Sequence, residues 1–187
     1  MSITTLDPQT AFVVIDLQKG LAVAPTIDPI PAITEKVGVL ASAFRRRGLL
    51  VVLVNVAGVS NGRTEHGHHS LQFPPDWTDL LPELGQHAED LVVTKHTWGA
   101  FLDTGLESLL KSAGVTQIVL AGVATSLGVE STAREAYALG FNVTLAVDAM
   151  TDLTIEAHTN SITRIFPRLG ETGTTREILA LLDKRGT

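Results

Sequence analysis

The sequence predicts an α/β fold, a single domain built on a doubly wound parallel sheet. Two observations predict it. Five short runs rich in β-branched residues recur along the chain, each too continuously apolar to leave one face in water, as expected of strands covered on both sides. Between them lie apolar residues at helical spacing, and strand-helix alternation of this kind implies right-handed crossovers that place helices on both faces of one sheet.

The first run is AFVVID (11–16), and it is followed by Ile33, Val37, Leu40 and Phe44, whose spacing predicts a helix with one buried stripe. LLVVLVNV (49–56) is the second run and DLVVTK (90–95) the third. Between these two, residues 57–89 carry no sustained period and are rich in Gly, Pro and His, so they read as a long loop of the kind that often carries function. QIVLAG (117–122) is the fourth run. After it, Val129, Ala133, Ala136 and Gly140 predict a helix closed by glycine, and NVTLAVD (142–148) is the fifth run. A short sixth strand is expected near Gly170–Thr172, before a last helix TTREILALLDK (174–184) capped by Thr174 or Thr175.

Composition narrows the partners. At 187 residues with 44% hydrophobic content the chain, 1–187, reads as one domain with a substantial core. A net charge of −6 without an acidic or basic block offers no footprint for nucleic acid or an anionic membrane, which leaves a small molecule as the expected partner. No apolar stretch approaches the roughly 20 residues of a membrane span, and the start lacks a basic, apolar leader, so a cytoplasmic location is expected. The sequence contains no cysteine, which removes disulfides, thiolate metal sites and thiol catalysis together.

In open α/β sheets ligands gather beyond the carboxyl ends of the strands, and three special residues fall there. Asp16 ends the first run and can serve as a general acid or base, or simply cap the next segment of chain. Lys95 ends the third run, either as a surface ammonium or as the partner of a carboxylate such as Asp16. Gly128 lies at the start of the helix after the fourth run, where free amide groups favour developing negative charge, or where a glycine merely relieves crowding.

Taken together, VVIDLQKG, TKHTWGAF and LAGVATSLGVESTAREAYALGFNVTLAVDAMTD resemble the isochorismatase-like hydrolase superfamily over nearly the whole chain. The resemblance implies strand order 3-2-1-4-5-6, a cis peptide at Val123–Ala124, no cofactor, and a homo-oligomer, dimer or larger. Most members resemble amidases with an Asp, Lys and Cys triad, and the resemblance puts Gly128 at the cysteine position. True isochorismatases also carry glycine there and hydrolyse a vinyl ether without a covalent intermediate.

The implied function is a cofactor-independent hydrolase of a small, anionic metabolite. Asp16 is then the acid/base, Lys95 its electrostatic partner, and Val123, Ala124, Thr125, Leu127 and Gly128 form the wall. Vinyl-ether or other non-amide cleavage is favoured. Two alternatives remain: an inactive binding or assembly homologue, and an amidase using water or a hydroxyl such as that of Thr125 or Ser126. Arg63 is a candidate to grip a substrate carboxylate, with Gln18 as a further binding candidate. Trp98 and Phe101 either wall a pocket over Lys95 or pack in the core. His66, His68 and His69 invite a metal reading, but the Asp-x-His motif of nicotinamidase-like relatives is missing after the second run, so no metal site is expected.

Overall fold

Every residue of the first strand, β1 (Thr10–Ile15), is buried, because neighbouring strands pair with both its edges and helices cover both its faces. The structure is a computed structural model that describes residues 3–60, 62–65 and 73–184. The other strands are β2 (Val51–Val56), β3 (Leu91–Lys95), β4 (Gln117–Val123), β5 (Asn142–Thr151) and β6 (Glu171–Gly173). They form one six-stranded sheet in the order β3-β2-β1-β4-β5-β6, with every strand pair parallel. The predicted doubly wound sheet and its strand order are therefore observed. The order reverses between β1 and β4, and an α/β sheet opens a crevice at such a switch point.

Side chains of period two divide the core in two. On one face Phe12, Val14, Leu53 and Val119 pack under α1 (Ile30–Arg45) and α6 (Thr175–Lys184). The rings of Phe12 and Phe44 stack at 5.2 Å, and complete burial of two such side chains contributes roughly 1.5–3 kcal/mol each. On the other face Val13, Ile15, Val52 and Leu120 meet α2 (Leu106–Ser112), α3 (Glu130–Ala138) and α5 (Phe166–Leu169). Thr174 caps α6 in a reciprocal box: its amide and hydroxyl bond Glu177 Oε2, and its hydroxyl accepts from the Glu177 amide.

The elements depart from expectation in three places. β5 continues to Thr151 after a register shift against β4 between Leu120 and Gly122, which carries the chain onward into the crevice at Asp152. α2 is only seven residues long and buries Leu106 and Leu110, too few positions to show a repeat. The third departure is the stretch α4 (Ile155–Asn160), a π-helical turn (Ser161–Ile165) and α5, a winding whose period is not that of a regular helix.

Gly122 lets β4 approach β1 at the crevice. Its φ of 120° lies in the left-handed region, and a Cβ there would collide with the carbonyl oxygen of Ile15. Gly122→Ala should therefore lower the unfolding free energy by about 3 kcal/mol in urea titration. A loss within about 0.5 kcal/mol, as for an ordinary surface change, would show that the two strands have room to part.

Candidate active site

The site begins where β1 stops. Asp16 turns out of the strand with φ 56°, a left-handed conformation that aspartate tolerates better than branched residues do. Its amide still donates to Val54 O at 2.9 Å, so the backbone stays in the sheet while the carboxylate leaves it. Lys95 is the last residue of β3, two strands away, and its stem crosses the end of β2. Its ammonium lies 2.8 Å from Asp16 Oδ2 and donates to Thr97 O at 3.0 Å. Both side chains are almost wholly buried, 7% and 2% exposed, so the ion pair is screened little by water.

Burial is the stronger influence on Asp16. It pushes the carboxyl up from 3.8 to about 6, against the charge and hydrogen bond of Lys95, which pull it down. Asp16 Oδ1 is buried with no hydrogen-bond partner among the described residues, an acceptor held ready for a ligand atom or a proton.

Beside this pair runs the chain from β4 into α3. The Val123–Ala124 peptide is cis, and residues Thr125–Val129 wind as a π-helical turn. Asp152, 2% exposed, fastens the turn by accepting from the amides of Ser126 (2.6 Å) and Leu153 (2.7 Å). The Thr125 hydroxyl donates to Thr151 O at 3.1 Å and meets His158 Nδ1 at 2.8 Å, so both its roles are taken. Burial lowers the pKa of His158 against the opposing pull of Asp152 and Asp28, which disfavours the charged ring. Gly128 is pressed against the ion pair: a Cβ there would stand 2.9 Å from Ile15 Cγ2, 3.1 Å from Asp16 Oδ2 and 3.2 Å from Val123 O. No side chain enters at 128 unless these neighbours shift.

Asp16, Lys95 and Gly128 share a cavity of about 300 Å³ with Val123, Ala124 and Leu127 of the turn. Phe73, Trp77 and Trp98 add aromatic walls. Trp77 is held by its indole N–H on Val56 O (2.9 Å), and the ring lies so close to Gly20 that a Cβ there would strike it. Phe73 rests on Trp77 with ring centroids 4.6 Å apart.

The Isochorismatase domain model matches residues 10–177, nine-tenths of the chain. The chain belongs to the isochorismatase family. It is similar to an isochorismatase family protein of Burkholderia thailandensis, with a TM-score of 0.93 and 41% identity, covering 97% of this chain and 100% of that one. It is 39% identical to the isochorismatase family protein YwoC of Bacillus subtilis over 178 residues, 91% of this chain and 93% of the relative. A third relative, named as a probable inactive nicotinamidase in Arabidopsis thaliana, is 31% identical over 168 residues, 82% of this chain and 86% of its own.

Within this isochorismatase-family hydrolase, the residues singled out from sequence divide. Asp16, Lys95, Trp98, Val123, Ala124, Leu127 and Gly128 line one cavity, whereas Gln18, Arg63, Phe101 and Thr125 do not. The Gln18 amide is engaged by the backbone, accepting from Val56 N and donating to Val56 O and Trp77 O, so it braces the aromatic wall. Phe101 is a core residue whose ring lies 5.8 Å from that of Phe141. Arg63 is exposed, and Thr125 acts through its hydrogen bonds to Thr151 and His158. His66, His68 and His69 lie outside the described residues, and among those described no three His, Asp or Glu side chains are grouped to hold a metal ion. Sequence reasoning passed over Phe73, Trp77 and Asp152. FPPDW, an aromatic pair around two prolines in the long loop, was the available signal for the first two.

Because its folded-state value lies above 3.8, Asp16 holds its proton more tightly in the folded chain than in the unfolded one. The stability this contributes is complete below pH 3.8 and is lost as the pH rises through about 6. Carbon-13 NMR of labelled aspartate should show one carboxyl titrating near pH 6 and absent from Asp16→Asn. In Lys95→Met that midpoint should move higher still, because the countercharge is gone while burial remains. An Asp16 carboxyl titrating in the ordinary carboxylate range in the wild type would contradict the buried pair.

Proposed function

We propose that this isochorismatase-family protein hydrolyses a small molecule in the Asp16–Lys95 cavity without a covalent intermediate, at a vinyl ether or another non-amide bond. One observation carries the reading: a buried carboxyl raised to about 6 stands against Gly128, in a chain with no thiol to act as nucleophile. A group titrating near 6 holds a proton part of the time at neutral pH and gives it up readily.

In a vinyl ether, Asp16 delivers its proton to the terminal carbon, forming a C–H bond and leaving an oxocarbenium ion. Lys95, 2.8 Å away, holds the carboxylate produced. Water adds to the cationic carbon and returns a proton to Asp16. The resulting hemiketal then breaks its C–O bond to an alcohol and a carbonyl compound. No step calls for a residue at Gly128 beyond its smallness. Thiol chemistry is absent, and the Thr125 hydroxyl is engaged, which disfavours the amidase alternatives that rely on a side-chain nucleophile.

The test is turnover of a panel of small vinyl ethers and esters, isochorismate included, by wild type and Asp16→Asn. The variant should lose about 10²-fold or more in kcat/KM while melting as a folded protein. Since the acid must be protonated, kcat/KM of the wild type should fall about tenfold per pH unit above about 6. Equal turnover by both proteins would remove Asp16 from the chemistry. The relative named as a probable inactive nicotinamidase supports a second reading, a homologue that binds but does not react. Saturable binding without product across the panel would favour it.

A further inference from the structure

Lys95 depends on a second acceptor whenever Asp16 carries its proton. Its ammonium meets Asp16 Oδ2 at 2.8 Å and donates to Thr97 O at 3.0 Å. Protonation removes the carboxylate charge, whereas a backbone carbonyl remains an acceptor at every pH. Thr97 O therefore holds an almost wholly buried ammonium in place through the protonated half of the proposed cycle. That carbonyl belongs to the 96–101 loop, which also carries Trp98 to the cavity. The loop is fastened from behind by α3, at residues that do not line the cavity. The Thr132 hydroxyl, fully buried, accepts from Ala100 N at 3.2 Å and donates to Gly128 O at 2.7 Å, so it joins the loop to the turn beside Asp16. One helical turn later, Glu135 Oε2 accepts from Phe101 N at 2.9 Å. Gly99 leaves room for this bond, because a Cβ there would overlap the Glu135 carboxylate.

We propose that Glu135 and Thr132 are positioning residues: from α3 they hold the 96–101 loop so that Thr97 O keeps the Lys95 ammonium against Asp16. This rests on the proposal that the Asp16–Lys95 cavity is the reaction site. Thr132 is the fixed part of the clamp, with both bonds of its hydroxyl made inside the core. Glu135 is the adjustable part, a half-buried carboxylate at the end of a flexible side chain, making a charge-assisted bond to one amide of the loop. Without that bond the Phe101 amide must find another acceptor, and the loop shifts to bring it to water. Water then reaches the ion pair. Burial, the larger influence on Asp16, and the opposing pull of Lys95 both weaken, so the carboxyl returns toward 3.8.

The test is a mutant cycle read first without substrate. Carbon-13 NMR follows the Asp16 carboxyl, assigned by its loss in Asp16→Asn, with every protein held well below its melting temperature. In Glu135→Ala the midpoint should fall from about 6 by at least about 0.5 pH unit. Glu135→Gln removes the same charge but keeps an amide oxygen for Phe101 N, and its midpoint should stay within about 0.2 pH unit of wild type. Gly99→Ala should act like Glu135→Ala, since its methyl displaces the carboxylate, and combining the two should be no worse than Glu135→Ala alone. On a substrate of the panel that the wild type turns over, kcat/KM should fall about tenfold in Glu135→Ala and less than about twofold in Glu135→Gln. A midpoint or kcat/KM unmoved in Glu135→Ala would overturn the inference, because the loop would then hold without the clamp. An equal fall in Glu135→Gln would also overturn it, by showing that charge alone acts through space, as would fully additive effects in the double variant. The midpoints need no turnover, so they decide the clamp even where the hydrolase reading fails. An unmoved midpoint, in turn, leaves Asp16-dependent turnover standing.

Discussion

Two opposite charges buried side by side, Asp16 and Lys95, set the terms for the rest of this fold. Desolvating each ion costs several kcal/mol, and mutual attraction offsets that only when the geometry is held closely. Here the holding is done by the sheet. Lys95 sits opposite Val56 in the β2–β3 register, and Ile15 opposite Val54 in the β1–β2 register, so three strands must keep step for the ammonium to arrive 2.8 Å from the carboxylate. A one-residue slip in either ladder would turn the lysine to the other face. The long, doubly covered apolar runs that make the strands easy to recognise are therefore also what positions the reactive pair.

A second constraint arises from the first. For the β4–α3 connection to lie against Asp16, main chain must come where side chains would ordinarily stand, and glycine occupies both Gly122 and Gly128. At Gly122 both φ and contact with Ile15 O demand it; at Gly128 a Cβ would require Ile15, Asp16 and Val123 to give way. The turn is then tied from the far side by Asp152, Thr151 and His158. Its shape thus depends on residues some 25 to 35 positions later in the chain.

That dependence explains what could be read from the sequence. Asp16 and Lys95 stood out because polar residues ending buried strands have one place to go, the crevice at the switch point. Gly128 came from the same logic, and Val123, Ala124, Thr125 and Leu127 from the resemblance to the isochorismatase-like hydrolases. For Thr125 that was not enough, because whether its hydroxyl is free depends on His158, and no local pattern announces that contact. Gln18 misled for a related reason: a buried amide with both ends bonded to backbone looks, in sequence, like any polar residue beside an active carboxylate. Trp77 is its mirror image, a loop aromatic outside any periodic pattern that the Gln18 amide and Gly20 draw into the cavity wall. Phe101, three residues beyond Trp98, points into the core because the intervening chain turns between them and delivers one ring to each side.

Under the proposed mechanism the same balance lets the pair act without a thiol. Burial alone would raise the Asp16 pKa further, and the charge and hydrogen bond of Lys95 pull it back down. The two influences leave it at about 6, a rise from 3.8 that corresponds to roughly 3 kcal/mol of added proton affinity. That is enough to keep a reservoir of protonated acid at neutral pH, and small enough that the lysine can receive the carboxylate once the proton has gone. Among the described residues that line the cavity, Asp16 and Lys95 are the charged ones, so the acid of the proposed reaction and its countercharge arise from one arrangement.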